Sequence, residues 1–139
     1  MNIVTIGVRR FRIVALDRSR PYLSGDVEYI DRTDQEDEAT TAEAGKVRVL
    51  FSEYYRQTLV LADQWTRRVG LPTHPGMLAD FVAGRLEVDT NIKQKLLELD
   101  STRECLEIES TMLDEAVALL SDRVRSSQMK KFSDFGTLN

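Results

Sequence analysis

Histidine and cysteine are the side chains that most often do chemistry at neutral pH, and this 139-residue chain has one of each, His74 and Cys105. A single histidine cannot build a His-based triad or a multi-histidine metal site within one chain. His74 directly precedes Pro75, a residue favoured in the first turn of a helix, so we interpret it as a helix-start residue. Cys105 has no polarising base near it in the sequence, which favours a buried small hydrophobe over a nucleophile. The sequence therefore predicts no catalytic residue, no metal ligand and no cofactor.

The densest basic feature is a run of arginines near the amino terminus. Its members are Arg9, Arg10, Arg12, Arg18 and Arg20, with Phe11 and Tyr22 between them. Basic and aromatic residues interleaved on a sheet can bind single-stranded nucleic acid through phosphate contacts and base stacking. Strand alternation, however, places Phe11 on the face opposite Arg10 and Arg12, which favours a solvated face paired with nearby acids. The net charge of −4 also argues against a dedicated nucleic-acid binder.

Composition indicates one soluble globular domain. The apolar fraction is 42% and the charged fraction 30%, both ordinary values, and 139 residues can bury a single core. No window approaches the roughly 18 uninterrupted apolar residues of a membrane span. The amino terminus does not read as a secretory signal peptide. A lone cysteine suits a reducing compartment, so we expect a cytoplasmic protein that does not engage membranes.

The first third of the chain predicts two strands and an acidic connection. Residues 2–16 alternate as a half-buried strand, and residues 23–30 form a second strand after a polar turn. Phe11, Ile13 and Ala15 are expected on one face of the first strand. Residues 31–42 carry five acidic side chains against one arginine, which is typical of a mobile surface loop.

The remaining two-thirds predicts four helices. The first begins at a capping box of Thr40 and Glu43 and carries an apolar stripe as far as Val69, where Gly70 stops it. A short helix starts near Pro75, and a third is capped by Asp89. A second capping box, Ser101 with Glu104, opens a last helix of about 25 residues that is roughly 38 Å long.

These elements predict an α+β fold, because strands come first and helices follow. We divide the single domain into strands over 1–30, the acidic loop over 31–42, a helical bundle over 43–129 and a tail over 130–139. The tail shows no helical period, and we expect it to be partly loose.

Three segments, in this order, resemble the amino-terminal substrate-binding domain of Lon-type ATP-dependent proteases. The first covers Gly7-Val8-Arg9-Arg10-Phe11-Arg12-Ile13-Val14 and Arg20-Pro21-Tyr22-Leu23-Ser24-Gly25-Asp26-Val27-Glu28. The second is Pro75-Gly76-Met77-Leu78-Ala79-Asp80-Phe81-Val82-Ala83. The third is Gln94-Lys95-Leu96-Leu97-Glu98 with Asp100 and Arg103. Each fragment is common by itself, but the ordered set covers nearly the whole chain.

Two departures from the family pattern shape what the resemblance implies. The family's earlier strands, including a Pro-Leu-Phe-Pro-like segment, are missing before Met1, so we expect a partial barrel of the PUA-like type. The Gly-x-x-x-x-Gly-Lys-Ser/Thr phosphate loop and the protease domain with its Ser–Lys pair are also missing. The unpaired strand edges would then have to pack against the helices or pair with another chain. We therefore predict self-association, including strand exchange.

The resemblance implies a non-enzymatic domain that binds unfolded or degron-bearing polypeptides through apolar surface and a strand edge. Met77, Phe81 and Leu86 are candidate contacts, since methionine-rich surfaces adapt to varied partners, although the same residues also suit a core. An oligomerisation module without a client is the first alternative. An RNA-binding PUA-like module is a second, and steep salt dependence would identify it.

Overall fold

The computed structural model describes residues 3, 5, 7–65 and 69–136 of the chain. It shows an antiparallel hairpin of β1 (Arg10–Asp17) and β2 (Ser24–Ile30), followed by four helices. They are α1 (Glu38–Leu61), α2 (Pro75–Arg85), α3 (Thr90–Glu98) and α4 (Thr102–Gly136). This order confirms the predicted α+β class with a long final helix. Within the described residues no helix is long and apolar enough to cross a membrane.

The core lies between the helices. Helix α1 packs along α4, and α2 and α3 close one side of that pair. Phe51 is central, because its ring lies 5.9 Å from that of Phe81 in an edge-on arrangement and 6.3 Å from the stacked ring of Tyr55. The fully enclosed apolar side chains are Val47, Phe51, Leu78, Ala79, Val82, Cys105, Leu106 and Leu113. The predicted status of Cys105 as a buried hydrophobe is thereby confirmed.

The start of α1 corrects the first predicted capping box. The helix begins at Glu38 after Asp37, whose side chain makes no capping bond. Thr40 lies inside the first turn and is fully buried, so it cannot serve as the cap. The acidic segment is also less loop-like than predicted, since Arg32 is buried and Thr33 N donates to Asp100 O at 2.8 Å.

The end of α1 comes eight residues earlier than its apolar stripe predicted. Asp63 takes a left-handed φ of 51°, and its N–H donates to Val60 O while that of Gln64 donates to Leu59 O. This pair of bonds is a Schellman motif, in which an aspartate occupies the position usually held by glycine. Gly70 is therefore not the stop. Trp65, four residues beyond the end of α1, is 92% exposed.

The other helix ends agree more closely with the sequence. Helix α2 begins at Pro75 with His74 as its N-cap residue, although the His74 side chain makes no capping bond. Asp89 likewise precedes α3 without a side-chain bond. Ser101 does cap α4, because its Oγ accepts the Glu104 N–H at 3.1 Å. Helix α4 has 35 residues and extends through much of the predicted loose tail, and residues 137–139 lie outside the described part.

Candidate functional site

One face of the hairpin is apolar and open to solvent. The register pairs Phe11 with Tyr29 and Ile13 with Val27, and directly paired residues project from the same side of a sheet. The first strand was predicted from residue 2, but β1 begins at Arg10; Met1, Asn2, Val4 and Ile6 lie outside the described residues. Among the described residues no third strand joins β1 and β2.

A β-bulge between Ile13 and Ala15 extends this apolar face. It shifts the register by one residue, so that Leu16 pairs with Gly25 and Ala15 pairs with Asp26. A Cβ placed on Gly25 would lie 3.4 Å from Leu16 Cδ2 and 3.7 Å from Ile13 Cγ2, which puts both side chains on that side. The predicted place of Ala15 on the Phe11 face is therefore wrong, because the bulge moves Ala15 across and brings Leu16 in.

We call the resulting surface the apolar hairpin face. Its members are Phe11, Ile13, Leu16, Val27 and Tyr29, each between 44% and 57% exposed. Monomeric soluble proteins rarely leave adjacent large apolar side chains uncovered, and such patches mark interaction sites. The hairpin therefore has a surface suited to contact with another apolar chain.

The opposite face of the hairpin is polar. Arg12 pairs with Glu28 across the strands, and Asp26 stands opposite Ala15. Asp17 at the end of β1 pairs with Ser24 and accepts the Ser19 N–H at 2.8 Å. Hydrogen bonding from the Ser19 side chain and from this N–H lowers the pKa of the Asp17 carboxyl. The three acidic side chains between residues 7 and 30 thus all lie away from the apolar hairpin face.

Arginines bracket the apolar face. The Arg9 guanidinium lies 4.2 Å from the centroid of the Tyr29 ring and 3.8 Å from the Asp31 carboxylate. At the other end, in the connection between the strands, Arg20 lies 5.8 Å from the Tyr22 ring centroid and donates to its hydroxyl at 2.9 Å. Arg18 is exposed in the same connection.

Two further arginines fix the base of the hairpin to the helices. Arg10 Nη1 donates to Leu97 O at 2.7 Å and to Leu99 O at 2.6 Å. Arg32, two residues after β2, donates to Leu96 O at 3.2 Å and to Leu99 O at 3.0 Å. These are carbonyl groups at the carboxyl end of α3, where positive charge complements the helix dipole.

Arg32 also belongs to a buried polar cluster. Its Nη2 lies 2.7 Å from Asp80 Oδ1, and Glu109 lies fully buried nearby with its Oε2 lacking a hydrogen-bond partner. The Cys105 thiol donates to Glu109 Oε1 at 3.6 Å. Burial raises the pKa of Glu109 to about 8 and that of Cys105 to about 12. Arg32, Cys105 and Glu109 lie inside the fold, and only Asp80 reaches the surface, with its side chain 44% exposed.

The residues predicted as protein contacts occupy three different environments. Met77 is 63% exposed on α2. Phe81 is half-buried, with its ring against Phe51 and the Arg85 guanidinium 3.5 Å from its centroid. Leu86 is 2% exposed, so it belongs to the core and cannot make a broad surface contact. The structure does not bring the three together as one surface.

Leu86 lies at the floor of a groove of ≈ 310 Å³ between α1, α4 and the connection from α2 to α3. Leu61, Met112 and Leu119 form its apolar walls, with Glu87 and Arg123 also among its lining residues. The groove is a second apolar surface, but it is bordered by only those two charges and is separate from the strand edges.

Sequence reasoning named a strand edge as a contact surface, but it placed the candidate apolar contacts on the helical segment around Met77, Phe81 and Leu86 and not on the strands. The alternation of Phe11 and Ile13 was visible, yet it was assigned to a half-buried face, whereas these side chains are exposed. Leu16 belongs to the apolar hairpin face only because of the bulge, and no residue pattern predicts a bulge at Val14. The anchoring roles of Arg10 and Arg32 depend on contacts 64 to 89 residues away in the chain.

Comparison with known proteins identifies the family. Residues 1–115 match the ATP-dependent protease La (LON) substrate-binding domain. The chain belongs to this family. Its relatives include Lon protease 1 of Hydrogenovibrio crunogenus, 26% identical over 135 residues, which are 96% of this chain and 17% of the relative. Lon protease 2 of Myxococcus xanthus and Lon protease of Anaeromyxobacter dehalogenans are 34% and 33% identical over 98 residues, 70% of this chain and 12% of each relative.

This chain spans less than a fifth of the length of the Lon proteases it matches. The match falls in the substrate-binding domain, so the matched residues form a binding domain and not a catalytic one. The family membership supports a role in substrate recognition.

Proposed function

We propose that this LON substrate-binding domain recognises unfolded or degron-bearing polypeptides through the apolar hairpin face and the outer strand edges. The observation that carries the proposal is the row of exposed apolar side chains on a sheet of two strands. A two-stranded sheet gains stability when a third strand joins it or when its apolar face is covered. An extended client segment supplies both backbone partners and apolar side chains.

The rigid base of the hairpin supports this mode of binding. Arg10 and Arg32 hold its base on α3, so the face is presented at a fixed place while its tip stays clear of the helices. Burying exposed apolar area contributes about 25 cal/mol per Å². Ordering a flexible client offsets much of this gain, so the affinity is modest.

The test is fluorescence anisotropy of a labelled, permanently unfolded protein titrated with this domain, beside the same protein in its folded form. Ile13→Asp should weaken binding of the unfolded form at least tenfold, because a carboxylate would be buried against the client. Ala15→Asp is the matched control, since Ala15 is exposed on the same strand but pairs with Asp26 on the polar face. Equal affinities for both variants and the unmodified domain would contradict the proposed surface.

A variant of helix α2 is measured in the same assay. Met77 is the exposed member of the predicted set, whereas Phe81 packs on the core. Met77→Asp should leave stability unchanged, because its side chain is mostly in solvent. A loss of client binding in this variant, with Ile13→Asp binding normally, would move the site from the hairpin to α2.

Self-association is a second candidate role, favoured by the same exposed face. Two copies could cover one another's apolar hairpin faces or exchange strands, which is how open sheet edges commonly recruit partners. Sedimentation at tens of micromolar should then show a dimer that Ile13→Asp dissociates. A monodisperse monomer would exclude this role.

We also propose that the domain works in the cytoplasm and does not depend on nucleic acid or membranes. The single cysteine and the acidic net charge support this view. Binding of a single-stranded oligonucleotide that weakens steeply with salt would contradict it.

A further inference from the structure

The charges around the apolar hairpin face are distributed unequally. Five arginines and three acidic residues lie between positions 7 and 30, whereas the chain as a whole carries a net charge of −4. The three acids, Asp17, Asp26 and Glu28, all stand in register positions of the polar face. The apolar face therefore has no carboxylate of the hairpin itself beside it.

The arginines of the hairpin, unlike its acidic residues, do not all lie away from the apolar face. Arg10 donates to Leu97 O and Leu99 O, and Arg12 stands in register opposite Glu28 on the polar face, so both are directed away from a client on the apolar side. Arg9 lies over the Tyr29 ring and therefore borders the apolar face. Its contact with Asp31 is long, at 3.8 Å, and exposed, so a client carboxylate can replace it.

Arg18 and Arg20 lie at the tip of the hairpin, shortly after Leu16, the last member of the apolar hairpin face on β1. Both lie in the exposed connection between the strands, and Arg20 contacts the ring and hydroxyl of Tyr22 without a carboxylate partner in its hydrogen bond. From Arg9 to Arg18 the strand spans roughly 30 Å at about 3.3 Å per residue. A client strand of about eight residues on this face would thus meet positive charge near both of its ends.

We propose that this face selects unfolded segments in which an apolar, β-forming core is flanked by aspartate or glutamate, and disfavours the same core flanked by lysine or arginine. The inference rests on the proposed function and adds the class of substrate. Apolar contact supplies affinity for any such core, and the flanking charges supply the discrimination.

The test uses three labelled peptides that share one eight-residue core of alternating valine, isoleucine and tyrosine. Their flanks are Asp-Glu, Ser-Ser or Lys-Arg at both ends, and Kd is measured at low and at moderate salt. We expect the acidic peptide to bind about fivefold tighter than the neutral one and the basic peptide to bind weakest. The differences should shrink as salt is added.

Two variants show whether the bracketing arginines are responsible. A triple change, Arg9→Ser with Arg18→Ser and Arg20→Ser, should remove the preference while leaving the neutral peptide's Kd within about twofold. Arg12→Ser is the matched control, since Arg12 lies on the polar face of the same hairpin, and it should keep the preference.

The possible results separate this inference from the proposed function. Equal affinity for the three peptides would overturn the charge preference and leave polypeptide recognition in place. The charge preference would also be overturned if the triple variant kept it, or if the unfolded protein bound but no peptide did. Polypeptide recognition would stand in both cases. If neither the peptides nor the unfolded protein bound, the proposed function itself would be overturned.

Two other results would point to a different occupant of the face. An oligonucleotide that binds more tightly than the acidic peptide would assign the arginines to nucleic acid. A dimer that blocks all binding would assign the face to a second copy.

Discussion

Arg10 and Arg32 donate to the same acceptor, the carbonyl oxygen of Leu99, at 2.6 Å and 3.0 Å. One arginine opens the hairpin and the other follows it, so both strands of the sheet are tied to a single point at the carboxyl end of α3. The contact converts a hairpin with few apolar contacts of its own into a fixed extension of the helical core. Its position depends on charge-assisted hydrogen bonds more than on hydrophobic packing.

Removing the buried arginine should therefore destabilise the domain. Arg32→Met loses bonds to Asp80, Leu96 O and Leu99 O, and of these acceptors only Leu99 O keeps an arginine donor, Arg10. We expect a loss of about 2–4 kcal/mol in the free energy of unfolding, measured with urea. Arg125→Met is the control, because its ion pair is exposed and 3.9 Å long, and it should change stability by less than about 0.5 kcal/mol.

A double-mutant cycle tests the shared acceptor. Because Arg10 and Arg32 both donate to Leu99 O, removing either one leaves the other in place to satisfy that oxygen. The losses in Arg10→Met and Arg32→Met should then fail to add, with a coupling of about 0.5–1 kcal/mol. Additive losses would mean that each arginine acts through its other contacts.

The helices were predictable because their signals are local. Pro75 marked the start of α2, and Ser101 marked the start of α4 through a bond to a residue three positions away. The end of α1 was not predictable in this way. Its stop is a Schellman motif built on Asp63, a residue that adopts the left-handed region much less readily than glycine.

The candidate site was harder to predict than the fold for a different reason. A pattern of alternating apolar residues gives the face of a strand, but it does not say whether anything covers that face. Ile13 and Val27 would look the same in sequence if another strand packed on them. Leu86 is the converse case, since an apolar residue in a short helix segment reads equally as surface or core, and it proves to be 2% exposed.

Glu109 should make the domain less stable as pH rises. Burial raises the pKa of this carboxyl from 4.5 to about 8 in the folded chain, so the folded state holds a proton that the unfolded state has released. The stabilisation is complete below about pH 4.5 and is lost as pH rises toward 8, at up to about 1.4 kcal/mol per pH unit.

Glu109→Gln should flatten this part of the pH profile. Glutamine keeps the shape of the side chain and stays neutral, so the Tm of the variant should fall less than that of the unmodified domain between pH 5 and pH 8. Glu115→Gln changes an exposed glutamate on the same helix and should leave the profile unchanged. Parallel profiles for all three proteins would show that Glu109 is ionised in the folded state throughout.

Asp34 should support the start of α4. Its carboxylate accepts the Ser101 hydroxyl at 2.6 Å and the Thr102 N–H at 2.7 Å. Partial burial alone would raise the pKa of Asp34, but these bonds lower it, so its contribution is present at neutral pH and is lost as pH falls through the folded-state pKa. Asp34→Ala should cost about 2 kcal/mol in urea unfolding at pH 7.

Two more substitutions separate the hydrogen bonds of Asp34 from its backbone conformation. Asp34 has a φ of 54°, which glycine and asparagine tolerate better than alanine. Asp34→Asn keeps an acceptor and should lose less than about 1 kcal/mol, and Asp34→Gly should fall between asparagine and alanine. If glycine matched the unmodified domain, backbone strain and not the bonds would explain the alanine result.

Cys105 should resist thiol reagents in the folded domain and so report on opening of the core. The side chain is fully buried, and burial raises its pKa to about 12, so both access and thiolate are lacking at pH 8. Labelling with a thiol-reactive dye should occur only through opening and should speed up in Arg32→Met, because Arg32 joins the hairpin to the elements around Cys105. A Met129→Cys change in a Cys105→Ala background supplies the exposed control, since Met129 is open to solvent on α4. Equal labelling rates at the two positions would contradict the burial of Cys105 and the closed core around Glu109.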